Sequence, residues 1–274
     1  MKLKPWFLTK NACYEAAVEI QPRGVMVHST GANNPTLRRY VQPDDGHLGE
    51  NPNGNHWNQL YPDGKKVCVH AFIGQLADGT IATYQTLPWT YRGWHSGRGA
   101  KGSANDMGYL GFEICEDGLV DRQYFQAVYR EAVELTAYLC KTYGLDPRKD
   151  GVVLCHAEGH QRGIASNHSD VLHWFPKHGK SMDDFRADVA AELEKEDDLD
   201  MTIDEMIGKM TNQQAYQLLE KANAHAATLA EPEWSRQEGH WKRAVEAGVV
   251  DNTAPERPMK RDEVIAVLGR EGLL

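Results

Sequence analysis

The sequence predicts an α/β fold, a mixed central β-sheet flanked by helices, followed by a small helical module. Short apolar runs bounded by Gly, Pro, Asn or Asp recur between residues 25 and 155, as strands do. One long stretch, Arg122 to Tyr143, instead spaces its apolar residues at three and four, as a helix packed on a sheet does. The composition then turns sharply at Glu194 to Asp200, a run of charged residues that reads as a linker. The expected organisation is therefore a main α/β domain at 1–193, a charged linker at 194–201 and a helical module at 202–274.

Taken in order, Asn11 to Ile20 suits either one short helix or an extended lead-in. Val25 to His28 is a strand, because Val-Met-Val is compact and is bounded by Gly24 and Ser29-Thr30-Gly31. Residues 33–65 are rich in Asn, Gly, Pro and Asp and form a long surface segment, with helical turns expected at Thr36 to Tyr40 and around Asn55 to Leu60. Val67 to Gly74 and Thr80 to Gln85 pair as a hairpin through Asp78-Gly79. Leu110 to Glu116 is a further strand in which Phe112 and Ile114 face one side, Glu113 and Cys115 the other. Gly144 ends the long helix, Val152 to Cys155 is the last strand, and Met182 to Leu193 is a closing helix with Ser181 as N-cap and Asp184 completing a capping box. Beyond the linker, Ile203 to Met210, Asn212 to Leu229, Trp234 to Ala247 and Met259 to Arg270 have helical patterns.

Bulk properties exclude several roles. Lys and Arg total 30 against 39 Asp and Glu, and the formal net charge of -9 argues against a duplex nucleic acid partner. No run approaches transmembrane length, so no membrane insertion is expected, and the N-terminus lacks the apolar core of a signal peptide. Cys13, Cys68, Cys115, Cys140 and Cys155 are scattered, odd in number and flanked by apolar residues, which reads as reduced core thiols made in the cytoplasm.

The chemistry concentrates in Val153 to Pro176, which holds four of the twelve histidines: His156, His160, His168 and His173. Imidazole and carboxylate are ligands for a borderline cation such as zinc, and a catalytic zinc needs three protein ligands with a fourth position for water. His156 follows a strand, as His28 follows its own, and Asp170 is the preferred third ligand, with His160 and His173 as alternatives. Glu158 and Gly159 depart from the HExxH arrangement, and Gly159 argues against a stable helix there. Glu113, a carboxylate in an apolar strand, is the candidate general base.

Over about residues 20 to 192 these motifs resemble the zinc-dependent N-acetylmuramoyl-L-alanine amidase type 2 family of cell-wall amidases, phage endolysins and peptidoglycan recognition proteins. Val-Met-Val-His28-Ser-Thr matches the strand bearing the first zinc histidine, Trp94-His95-Ser96-Gly97 a loop motif, Asn105 and Gly111-Phe-Glu113-Ile the segment with the catalytic glutamate, and His156 the second zinc histidine. The third ligand of that family lies in a Lys-x-Asp/Cys-Pro-Gly motif, which corresponds here to His168-Ser-Asp170; His168 replaces the lysine and the Pro-Gly is absent. The resemblance implies one zinc held by His28, His156 and Asp170, with Glu113 serving the attacking water and His168 bracing the oxyanion. It also implies peptidoglycan as substrate, with Trp57, Trp94, His95 and Asn105 at the substrate site and Trp89 in a neighbouring aromatic loop. Within the tail, Trp241 to Val264 resembles part of a surface-layer-homology-like repeat, which implies tethering to cell-wall polymer. Together these imply a lytic enzyme made in the cytoplasm that acts once the wall is exposed, with a non-catalytic wall binder and a muropeptide-recycling amidase as alternatives.

Overall fold

The computed structural model describes residues 1–200, with side chains through Lys195. The chain divides into two units, Met1–Leu199 and Asp200–Leu274. The helices expected after residue 202 and the tethering module they would form lie outside the described residues.

The first unit is built on one sheet whose strands, in chain order, are β1 (Leu3–Pro5), β2 (Gly24–Ser29), β3 (Ala71–Gln75), β4 (Ile81–Gln85), β5 (Tyr109–Ile114) and β6 (Val153–Cys155). The helices are α1 (Ala12–Ala16), α2 (Arg38–Val41), α3 (Arg122–Tyr143), α4 (His156–Gln161) and α5 (Met182–Asp200). Across the sheet the strands run β1-β4-β3-β5-β2-β6. Only β3 and β4 pair antiparallel, through the hairpin read from Asp78-Gly79; the other neighbours are parallel. The sheet is thus mixed, as the sequence predicts.

The period of two along the strands sorts residues onto two faces. On one face Val25, Val27, Leu110, Phe112, Ile114 and Val153 pack against Phe125, Val128, Ala132 and Leu135 of α3, and Phe185 and Val189 of α5. Each large side chain fully buried there contributes about 1.5–3 kcal/mol. On the other face Met26 and Leu154 pack under Ala104, Ile164 and Ala165, which belong to loops rather than long helices.

Local signals explain the element ends. The Asp121 side chain accepts hydrogen bonds from Gln123 and Tyr124 N–H at the start of α3, and Gly144 closes it in the left-handed region, so the helix matches its expected span. Ser181 and Asp184 form the reciprocal cap expected at α5. Helix α5 continues past Leu193 to Asp200, because the Glu- and Lys-rich run has good helix propensity as well as charge.

Two local expectations need correction, and one element was not anticipated. The second helical turn lies at Pro62–Gly64, not Asn55 to Leu60. Strand β1 was not expected, since three residues are too few to show alternation. Gly159 lies inside α4 rather than preventing it; a Cβ there would stand 2.7 Å from Met26 Cε and 3.2 Å from Ala165 Cβ, so α4 lies close against β2 at this point.

Candidate metal centre

The sheet assembles the site from three neighbouring strand ends. His28 of β2 is in register with Glu113 of β5, so in this parallel pair both side chains leave the same face. Val27 is in register with Cys155, the last residue of β6, and the next residue on each strand is a histidine, His28 and His156. Glu113, His28 and His156 therefore stand in a row at the carboxyl ends of parallel strands, where open α/β sheets place their ligands.

Asp170 completes the group from a separate loop. It is in the left-handed region at φ 43° and opens a 3-10 turn, Asp170–His173. Its Oδ2 lies 3.0 Å from His28 Nδ1 and 3.0 Å from His156 Nδ1, and the two nitrogens are 3.2 Å apart. Ligand distances of about 2.0–2.1 Å around a tetrahedral zinc would space its ligands by roughly 3.3 Å. The observed triangle thus fits one small cation, and its two imidazole nitrogens and one carboxylate oxygen are an appropriate donor set.

Electrostatics agree with this geometry. Burial opposes ionisation of Asp170, but hydrogen bonds from His156 and His28 outweigh it and hold the carboxyl well below the usual carboxylate range. Burial also pushes the His28 imidazole down, against the opposing pull of Asp170, which favours a neutral ring able to act as ligand. Glu113 is driven the other way: burial first, then the charges of Asp170 and Glu116, raise its carboxyl well above the ordinary value. Its Oε2 is buried without a hydrogen-bond partner among the described residues. A cation in the triangle would relieve the crowding of carboxylates.

The alternative ligands are engaged elsewhere. His160 Nδ1 lies 3.2 Å from the Ala165 carbonyl oxygen, and His173 Nε2 lies 3.0 Å from Glu116 Oε2. Trp174, beside His173, is fully buried against Tyr124 and Phe125. His168 is exposed on the rim, its ring 4.8 Å from that of His156.

The triangle opens into a cleft of roughly 470 Å³, whose lining includes Glu113, His168, Trp57, Trp94 and His95. Trp57 is half-buried and edge-on to Phe72, so one side of its ring is committed to packing. His95 borders the cleft with both ring nitrogens occupied, Nδ1 at 2.9 Å from His28 Nε2 and Nε2 at 3.1 Å from the Tyr109 carbonyl oxygen. Asn105, expected at the substrate site, is fully buried and outside the cleft lining. Trp89 is likewise away from the cleft and stacks on His70. Lys65 and Asp63 border the cleft without having been singled out in the sequence. Ser166 was also missed; its Oγ lies 3.1 Å from His156 Nε2, and a serine among short polar residues carries no sequence signal for that role.

The family described as N-acetylmuramoyl-L-alanine amidase matches residues 19–173, more than half of the chain. No curated protein matches it. Among solved structures the chain is similar to PlyL, with 16% identity and a TM-score of 0.46 over 69% of this chain and 96% of that one. It is similar to the Staphylococcus aureus hydrolase AmiA in complex with its ligand, with 18% identity and a TM-score of 0.45 over 70% and 83% of the two chains. A mutant endolysin from Bacillus subtilis shares 18% identity, with a TM-score of 0.45 over 69% of this chain and 99% of that one.

Proposed function

Because the chain belongs to the N-acetylmuramoyl-L-alanine amidase family, we propose that it hydrolyses the amide between the lactyl group of N-acetylmuramic acid and L-alanine of peptidoglycan. The observation that carries this reading is the triangle of His28 Nδ1, His156 Nδ1 and Asp170 Oδ2, set beside the unpartnered Glu113 Oε2. These three residues would hold one zinc ion, which when bound supplies an acidified water and polarises the scissile carbonyl.

The chain's own residues do the rest. Glu113 takes the proton of the attacking water at Oε2 and returns it to the leaving amine of L-alanine, the step its raised proton affinity suits. His168, on the rim beside His156, donates a hydrogen bond to the oxygen that gains negative charge. Trp94 and the free side of Trp57 border the cleft where sugar or stem peptide would lie. Asn105, fully buried, supports the site from behind, and His95 borders the cleft with both ring nitrogens already engaged.

The test is incubation with purified walls, reading released amino groups and reducing sugar ends separately. Amino groups without reducing ends, lost on chelation and restored by zinc, are expected; release of neither alongside tight wall binding would overturn the enzyme reading. A lytic role predicts greater activity on intact walls than on soluble muropeptides, and the reverse preference would identify a recycling amidase. No helix among the described residues is long and apolar enough to cross a membrane. The proposed place of action is a wall reached after membrane permeabilisation. From its sequence, the segment 202–274 is proposed to tether the enzyme to wall polymer. Equal pelleting with walls by the full chain and by a chain ending at Asp200 would overturn the tethering.

A further inference from the structure

We propose that His95 and Ser96, consecutive in one loop, set the ring tautomers of both histidine ligands so that each presents a bare Nδ1 to the ion. Ser166, Asn105 and Gly111 hold that relay in place. The inference rests on the zinc reading above and assigns these residues positioning roles, not contacts with substrate.

The His28 arm ends on a backbone carbonyl. The Tyr109 oxygen can only accept, so His95 Nε2, 3.1 Å away, must carry the proton. A neutral ring that carries its proton on Nε2 has only Nδ1 left as an acceptor. Its Nδ1 is then a lone pair, and His28 Nε2 at 2.9 Å must be the donor to it. With Nε2 protonated, Nδ1 of a neutral His28 is free to bind an ion in place of the contact it makes with Asp170 Oδ2 at 3.0 Å.

The His156 arm ends on the next residue of the same loop. Ser166 Oγ lies 3.2 Å from the Ser96 carbonyl oxygen and 3.1 Å from His156 Nε2. Ser166 Oγ–H donates to the Ser96 carbonyl, leaving an Oγ lone pair to accept from His156 Nε2–H. Nδ1 of His156 is then bare toward the triangle as well.

One amide clamps the loop that terminates both arms. Asn105 Oδ1 accepts from the backbone N–H of His95 at 2.9 Å and of Ser96 at 3.3 Å, while its Nδ2 donates to the Gly97 carbonyl oxygen at 3.2 Å and Ser103 Oγ at 2.8 Å. Two glycines make room. A Cβ on Gly111 would stand 2.4 Å from His95 Cγ and Nδ1, and one on Gly97, where φ is +60°, would stand 2.7 Å from Ser166 Oγ. The Trp-His-Ser-Gly motif, the distant Asn105 and the glycine before Phe112-Glu113 are thereby parts of one hydrogen-bonded apparatus.

Outer partners of metal-bound histidines are worth about 10- to 100-fold in metal affinity. The test measures zinc affinity by chelator competition in the full chain. Wild type is expected to bind one zinc, and His95→Ala and Ser166→Ala each to bind it about 10- to 100-fold more weakly. His95→Asn should recover much of the loss, since its amide oxygen can stand near the position of Nδ1; a merely structural role would not be rescued this way. Long-range proton–nitrogen NMR of zinc-loaded wild type should place the ring protons of His28, His95 and His156 on Nε2. That measurement decides even where His95→Ala fails to fold: a His95 proton on Nδ1 overturns the relay. Wild-type affinity in both alanine variants overturns it while leaving the zinc reading intact. A wild type that binds no zinc overturns both.

Discussion

Replacing Glu113 with Gln removes one negative charge and one proton acceptor while keeping the shape of the side chain. The site gives that change opposite effects on activity and stability. A positioned general base contributes about 10²- to 10⁴-fold, so turnover should fall by that factor, equivalent to about 3–5 kcal/mol of barrier at 1.36 kcal/mol per tenfold. Zinc should stay, because Glu113 is not among the three donors of the triangle. Stability of the metal-free protein should rise at neutral pH, since Glu113 Oε2 is buried without a partner and Asp170 and Glu116 are both carboxylates. The sign follows from linkage. A carboxyl whose pKa is raised in the fold favours folding below the unfolded value of about 4.5 and loses that contribution as pH rises through the folded value. Metal-free wild type should therefore lose stability over that rise and Glu113→Gln should not. The assays are amino-group release from walls, zinc content, and denaturant unfolding of both metal-free proteins between pH 4.5 and 8. A variant that keeps turnover within threefold of wild type, or that loses its zinc, would refute the assignment of Glu113.

Substitution of His28, His156 or Asp170 with Ala should abolish zinc content and activity together, whereas His160→Ala and His173→Ala should retain the metal because those rings are bonded to Ala165 and Glu116; a zinc-loaded Asp170→Ala beside a zinc-free His173→Ala would reassign the third ligand. His70 is fully buried, with Nε2 donating to the Tyr91 carbonyl oxygen and Nδ1 accepting from Gly111 N–H, and burial pushes its pKa down to about 4. The unfolded chain then takes up a proton first as pH falls. Stability from this residue is present above about pH 6.5 and is lost toward pH 4, by up to about 3 kcal/mol, readable as a falling unfolding midpoint in urea; a midpoint flat from pH 7 to 4 would contradict it. Trp174→Ala should cost about 3–5 kcal/mol, since the ring is wholly buried against Tyr124 and Phe125, and a change under 1 kcal/mol in denaturant unfolding would show that this corner is not part of the core.

Much of this protein was written in local sequence, for reasons of periodicity and donor chemistry. Helix α3 matched its expected span because its cap residue, its apolar spacing and its terminal glycine all agree. The strands carrying His28, Glu113 and His156 were legible from β-branched runs and turn residues, and alternation along β5 correctly placed Phe112 and Ile114 on the face opposite Cys115. Two histidines ending separate strands and an aspartate in a polar loop have the chemistry of a ligand set before any contact is known. What local sequence lacks is the sense of a contact between distant segments. The register of β2 against β5 and β6, the 3.0 Å approach of Asp170 across 142 residues, and the engagement of His160 and His173 elsewhere were decided by packing. The same holds for Asn105 and His95, whose types suit substrate binding as well as support: burial puts Asn105 behind the site, and hydrogen bonds engage both ring nitrogens of His95 at the cleft border. Composition marks which residues can do chemistry, but hydrogen-bond direction and solvent access belong to the folded chain, and they decide which residues face the candidate metal triangle and which stand behind them.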